Sequence, residues 1–211
     1  MKTYWYKEVE AFFGIGTANY FGDIGGTDSK ITGWQAAFDH FDIDLWQTRF
    51  ALTGGARIMP KPFLAISAQI SPIFLSGNDA RSNYAYRGYS FNTSIVEFSA
   101  QVEYYIANRM TGFAPYVAAG AAGMVYGYKN NEMTSRKWNT GNTFILGIGT
   151  RLPEARNITH SLEFTFHFST TDYLDGFATD RKSPDLFFLI SYKVNFNVFT
   201  LLTYDYRGRI K

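Results

Sequence analysis

The chain contains no cysteine, so neither a disulfide nor a thiolate-bound metal takes part in its fold or its chemistry. Its 3 histidines, His40, His160 and His167, are scattered without a metal-ligand spacing. No stretch approaches the ~20 consecutive apolar residues that a membrane helix needs. The best candidate, residues 113–128, is uncharged but short, and it is interrupted by Pro115 and several glycines. Residues 1–8 lack an apolar core, so they do not read as a signal peptide; the protein is either cytoplasmic or has already lost such a segment. A formal net charge of +2 gives no electrostatic reason to expect nucleic acid. No Gly-x-Ser-x-Gly element is present, and Gly14-Ile15-Gly16-Thr17-Ala18-Asn19 lacks the third glycine and following helix of a dinucleotide loop. No cofactor and no small-molecule substrate are expected.

Aromatics are abundant. In 211 residues there are 20 Phe, 15 Tyr and 4 Trp, with 19 Gly beside them, a composition that favours sheet with glycine at kinks and turns. The segment Leu162-Glu163-Phe164-Thr165-Phe166-His167-Phe168 alternates strictly between large apolar and polar residues. A β-strand sends successive side chains to opposite faces, so this strand has one greasy and one wet face. The same alternation recurs and predicts eight strands, at about 7–19, 44–58, 63–75, 91–106, 115–129, 141–152, 161–173 and 186–198. Pro60-Lys61-Pro62 reads as a tight break, and Pro72 as a bulge or a strand end.

Each predicted strand reaches the ~9–11 residues that cross a bilayer at a tilt. Short connections alternate with longer ones rich in Gly, Asn, Asp and Ser, the plan of an outer-membrane barrel. The fold class expected is therefore all-β: an eight-stranded antiparallel up-and-down transmembrane barrel over residues 8–198. Residues 1–7 and 199–211 are expected to be periplasmic segments. A soluble barrel or lipocalin-like cup is the alternative. In the membrane reading the apolar faces meet lipid, and the polar faces fill the interior. Glu10, Arg49, Arg57, Glu97, Glu103, Arg151, Glu163, His167 and Lys193 form that interior network, close to charge balance. Tyr104, Tyr116, Tyr126, Tyr173 and Tyr192 are candidates for the interfacial girdles.

His167-Phe168-Ser169 is similar to the catalytic strand of outer-membrane lipid A deacylases, in which Ser attacks an acyl ester and His acts as base. That chemistry needs both side chains on the lipid face, which Leu162, Phe164, Phe166 and Phe168 already occupy. Ser169 is also followed by Thr170-Thr171, where that family shows Asn-Ala. A non-enzymatic interior pair is the expectation.

Two clusters end strands on one rim: Asn19-Tyr20-Phe21-Gly22-Asp23 and Thr171-Asp172-Tyr173-Leu174-Asp175. Asn19, Asp23, Asp172 and Asp175 would gather there, capping turns or forming an exposed recognition or cation site. With the aromatic last strand from Asp185 to Tyr192, these motifs resemble the PorG-type outer-membrane barrels of Bacteroidetes. That resemblance implies a component of the type IX secretion and gliding machinery, held in outer-membrane lipid and associated with periplasmic ring proteins. Where relatives continue with a second acidic residue, this chain has Asp175-Gly176. Beyond the last predicted strand lies an aromatic and basic tail with Tyr204, Tyr206, Arg207 and Arg209, a candidate contact for a periplasmic partner. The rival role is that of an OmpX-like surface adhesin or membrane-stability barrel acting through its long loops.

Overall fold

A computed structural model describes residues 6–21, 24, 45–81, 85–107, 113–152, 158–177 and 184–202. Eight strands run in chain order: β1 (Tyr6–Phe21), β2 (Arg49–Lys61), β3 (Leu64–Asn78), β4 (Ser90–Tyr105), β5 (Ala114–Asn130), β6 (Lys137–Arg151), β7 (Ile158–Ser169) and β8 (Leu186–Leu202). Each pairs antiparallel with its neighbours, and β8 returns to β1, so the sheet closes as a barrel.

The stagger of the barrel follows from its registers. A line through Ala11, Ala56, Ala68, Ala100, Ala121, Phe144, Phe168 and Leu186 comes back to β1 at Phe21, a shift of ten residues. Ten residues at ~3.3 Å set against eight strands at ~4.8 Å tilt the strands by about 40°. At that tilt about ten residues of each strand cover ~25 Å of height, the thickness of an outer-membrane apolar band.

The faces point as lipid demands. Ile15, Ile70, Phe98, Phe144, Leu146, Phe168 and Ile190 are exposed on the outer wall, whereas Glu163, Thr165 and His167 are buried. Such a belt of large exposed apolar side chains is foreign to a soluble cup, whose core lies inside. Leu146 lies near mid-height on β6, between Ala119 and Phe166. Leu146→Arg is expected to destabilise the barrel by about 2–4 kcal/mol in vesicles, read from urea unfolding curves. A change within experimental error would remove this face from the membrane.

Several boundaries differ from the sequence reading. β2 begins at Arg49, because Leu45–Gln47 forms a short 3-10 turn, and it continues through Pro60 to Lys61. The register shift between Ile58 and Lys61 absorbs the proline. Pro72 makes no bulge: it pairs with Val96 in an unbroken β3–β4 ladder. On the other side, pairing with β2 passes from Ala51↔Ile73 to Gly54↔Ile70, leaving the missing N–H without a ladder position to fill. β7 starts earlier and ends at Ser169, and β8 runs past residue 198 to Leu202, pairing with Tyr6. Tyr204, Tyr206, Arg207 and Arg209 lie outside the described residues, as do Gly22 and Asp23.

Candidate functional site

The lumen is filled in three layers. At the end bearing the chain termini, Met59, Ala65, Tyr105, Ala114, Tyr116 and Ala118 form a small apolar floor. Above it lies a charged layer, and at the long-loop end a larger apolar cluster closes the mouth.

Parity along the strands places the charged layer. Arg57 on β2 sits at the centre, with no exposed surface. Its Nε donates to Glu103 Oε1 at 3.0 Å, and its Nη1 donates to Glu10 Oε2 at 3.3 Å and to Asn195 Oδ1 at 2.9 Å. Arg151 takes Glu10 from the other side in a bidentate pair of 2.9 and 2.5 Å, and also donates to Thr159 Oγ1 at 2.8 Å. Lys193 Nζ donates to Glu163 Oε1 at 2.5 Å and to Gln69 Oε1 at 3.2 Å. His167 meets Glu97 Oε2 at 3.1 Å through Nδ1 and Thr165 Oγ1 at 2.9 Å through Nε2. Eight of the nine expected network members are thus brought together.

Arg49 is the exception. It opens β2 opposite Ala18, above the lumen, where it is exposed and donates to the carbonyl of Thr48 at 3.2 Å. Glu8 takes a place inside instead. Among the described residues the lumen below the mouth therefore holds five buried carboxylates (Glu8, Glu10, Glu97, Glu103, Glu163) against Arg57, Arg151, Lys193 and one histidine. Neutral donors serve this acid excess. Tyr105 donates to Glu103 at 2.9 Å, Tyr116 to Glu163 at 2.7 Å, Thr143 to Glu97 at 2.9 Å and Asn197 to Glu8 at 2.6 Å. Tyr116 and Tyr126 are thus lumen residues, not girdle residues, because both fall on the inward parity of β5. Tyr104 and Tyr192 do face outward, and Tyr173 is exposed on the β7–β8 loop.

The mouth is closed by the β7–β8 loop. Leu174 is completely buried among Tyr20, Ile24, Phe91, Tyr128 and Phe187. Thr93 donates its hydroxyl to the Leu174 carbonyl, and Asn130 Nδ2 donates to the Gly176 carbonyl at 3.0 Å. Gly176 has φ +80°, and a Cβ there would lie 2.5 Å from the Tyr128 ring, so the turn needs glycine on both counts. The Tyr20 hydroxyl is held between two carboxylates, donating to Asp185 Oδ1 and lying 3.2 Å from Asp175 Oδ2. Asp185 Oδ2 accepts the Leu174 N–H at 2.8 Å, and Asp175 Oδ1 accepts the Phe177 N–H at 2.9 Å. Burial, then the neighbouring Asp175, pushes the Asp185 carboxyl from 3.8 up to about 7, with Asp172 adding to the effect.

Sequence reasoning assigned Asn19 and Asp172 to this rim too. Asn19 is buried on β1 and accepts from Thr48 Oγ1 at 2.6 Å; Asp172 is half-buried in the loop. Asp185 was missed as a site residue, since only closure of β8 on β1 brings it to Tyr20. A second rim pair, Arg87 with buried Asp79 at 2.9 Å, was also missed.

The His-x-Ser step does not assemble a catalytic pair. His167 is stacked on Phe187 with ring centroids 4.7 Å apart, and Ser169 Oγ accepts the Thr171 N–H at 3.1 Å. Thr165, His167 and Glu97 do form a hydrogen-bonded chain, but all three lie inside the packed lumen, away from any lipid ester.

A family model described as Domain of unknown function (DUF6089) matches residues 65–208. The chain belongs to that family. No match is found among curated proteins. The DUF6089 barrel is similar in fold to Neisserial surface protein A, at TM-score 0.52 and 9% identity, over 90% of this chain and 96% of that one. It also aligns with the N-terminal β-barrel domain of Pseudomonas aeruginosa OprF, at TM-score 0.49 and 11% identity, over 90% and 99%. Ail of Yersinia pestis aligns at TM-score 0.45 and 9% identity, over 90% and 99%. The DUF6089 fold is that of the eight-stranded outer-membrane barrels.

Proposed function

We propose that this DUF6089 protein is an integral outer-membrane barrel that serves as a sealed, non-enzymatic anchor. The observation that carries the reading is the lumen, filled by an ion-paired layer and stoppered by Leu174. A barrel packed in this way offers solutes no passage, which leaves its surfaces to do the work. The end bearing both chain termini, with its short turns, is the natural side for contact with periplasmic subunits. In the finer form of this proposal the barrel organises a type IX secretion or gliding assembly. That finer form rests on the resemblance of the rim motifs, whose Tyr20 and Leu174-Asp175 meet in one latch at the mouth. The alternative is a surface adhesin, favoured by the β5–β6 hairpin, whose pairing continues up to Tyr128↔Lys137, above the apolar band.

Co-purification from gently solubilised outer membrane tests the anchor reading. The tagged barrel is expected to retain periplasmic-side protein subunits and to form no steady channel in planar bilayers. Recovery of the barrel alone, with activity lost on shaving the surface loops, transfers the function to the adhesin. A resolved unitary conductance removes the sealed lumen from the model.

A further inference from the structure

The outer wall over β4, β5 and β6 can be read row by row. In one row Asn92 stands beside Lys129, and the next places Ser94, Gly127 and Trp138 side by side. Arg136, just before β6, lays its guanidinium down over these strands. Its Nη1 donates to Ser94 Oγ at 2.6 Å and to the Gly127 carbonyl at 3.1 Å. Both acceptors are neutral, and among the described residues no carboxylate pairs with this arginine. Gly127 makes the arrangement possible: a Cβ there would come within 2.9 Å of the Trp138 indole and 3.0 Å of Arg136 Cδ. An exposed and fixed cation, with no carboxylate on it among the described residues and an aromatic beside it, thus marks the upper edge of the apolar band.

Below it the wall is hollow. Gly123, Ala121 and Ala119 face outward along β5, while Phe98 on β4 and Phe144 and Leu146 on β6 stand up on either side. Two concavities, of about 920 and 500 Å³, open one above the other on this wall; the upper one also extends across β3 to Gly54 and Gly55 of β2, and the lower one reaches Phe164 and Phe166 of β7. Asn142 borders the upper one and presents its amide next to Gly123. Cation above and apolar groove below fit a single amphiphile with an anionic head. The patch lies at the long-loop end, which faces outward in barrels of this plan, so the leaflet is the outer one. The anionic amphiphile of that leaflet is a phosphorylated glycolipid.

We propose that the outer face of β4–β6 binds a phosphorylated glycolipid of the lipid A type, with a phosphate on Arg136 and Lys129 and an acyl chain in the β5 groove. The inference rests on the membrane-integral reading above. Arg136 contributes the charge-assisted contact, and its bonds to Ser94 and Gly127 hold the fork in place before the lipid arrives.

The test is native mass spectrometry of the full chain released from phosphatidylcholine nanodiscs containing lipid A, dephosphorylated lipid A or phosphatidylglycerol. Incorporation is scored first, by heat-dependent mobility on gels. Failure to insert would count against the membrane reading itself, separately from the lipid site. For inserted barrel, lipid A should be retained about tenfold more than its dephosphorylated form, and the Arg136→Gln/Lys129→Gln variant should lose that preference. Ala121→Leu/Gly123→Leu should reduce retention of both forms, since a Cβ at Gly123 meets only Asn142 Oδ1, at 4.0 Å, and the added bulk enters the groove. Equal retention of both lipid A forms by the wild type, or retention unchanged in either variant, overturns the proposal. Displacement by an equal amount of phosphatidylglycerol overturns the choice of glycolipid.

Discussion

Arg57→Met is expected to destabilise the barrel by about 3–5 kcal/mol, among the largest single-residue effects in the molecule. The reason is what the substitution leaves behind. Glu103 loses Arg57 while keeping Tyr105, and Glu10 loses Arg57 while keeping Arg151. Both carboxylates are 1% exposed, so neither can recover hydration without water entering the packed layer. Arg57→Lys keeps the charge but cannot reach Glu103, Glu10 and Asn195 from one planar fork, and an intermediate loss of about 1–3 kcal/mol is expected. Pairing Arg57→Met with Glu103→Gln should recover part of the loss, because the unpaired acid is removed with its partner. Urea unfolding in vesicles, followed by tryptophan fluorescence, measures all three. A loss below ~1 kcal/mol for Arg57→Met would mean that the lumen is wet enough to screen the pair.

The mouth should loosen as pH rises from about 4 to about 7. One phenolic hydrogen cannot be donated to two carboxylates at once, so the contacts of Tyr20 with Asp185 and Asp175 are best served when one carboxyl is protonated. Asp172 adds a like charge, and among the described residues no cation pairs with Asp185. The sign follows from comparing the two states. Below 3.8 the Asp185 carboxyl is protonated whether the mouth is closed or open, and the closed form is fully favoured. Between 3.8 and about 7 the open form releases a proton that the closed form retains, so closure weakens steadily with pH. Above about 7 both forms are ionised and the loss levels off, at a total on the order of 2–4 kcal/mol. Limited proteolysis of the β7–β8 loop at pH 5 and pH 8 reads this directly, with cleavage expected to be faster at the higher pH. Asp185→Asn cannot ionise and should flatten the profile. An unchanged profile in that variant would assign the pH response to another group.

The wall of this protein was far more legible than its mouth. Alternation from Val96 to Tyr104 and from Leu162 to Phe168 is strict, and each polar residue in those runs faces the lumen. Tyr105 could have been read as well, since it continues the inward parity of Glu97 and Glu103. On β5 the small residues carry little polarity contrast, so the facing of Tyr116 became visible only once Ala114 and Ala118 were seen beside it in the floor. Arg49 misled for another reason. Parity fixes the side of the sheet but not the height, and a residue at the end of a tilted strand can stand clear of the lumen it points towards. The Tyr20–Asp185 contact spans 165 positions of sequence, and no local pattern could encode it. The expectation of charge balance failed because Arg49 stands above the lumen while Glu8 enters it, and the excess carboxylates are stabilised by hydrogen bonds from phenols, amides and hydroxyls.

The charged layer has a second consequence, concerning how the strands find their partners. A slip of one residue between neighbouring strands would turn lipid-facing side chains inward, and is excluded by hydrophobicity alone. A slip of two preserves inside and outside, and the wall would tolerate it. It would, however, move each charged group ~6.6 Å along its strand, well beyond hydrogen-bond reach. Arg57 with Glu10 and Arg151 with Glu10 join strands 47 and 141 positions apart in the chain. Together they act as a combination that only one alignment of the barrel satisfies, so the acids and bases at its centre record how the first strand must stand against the second beside it and the sixth across the lumen.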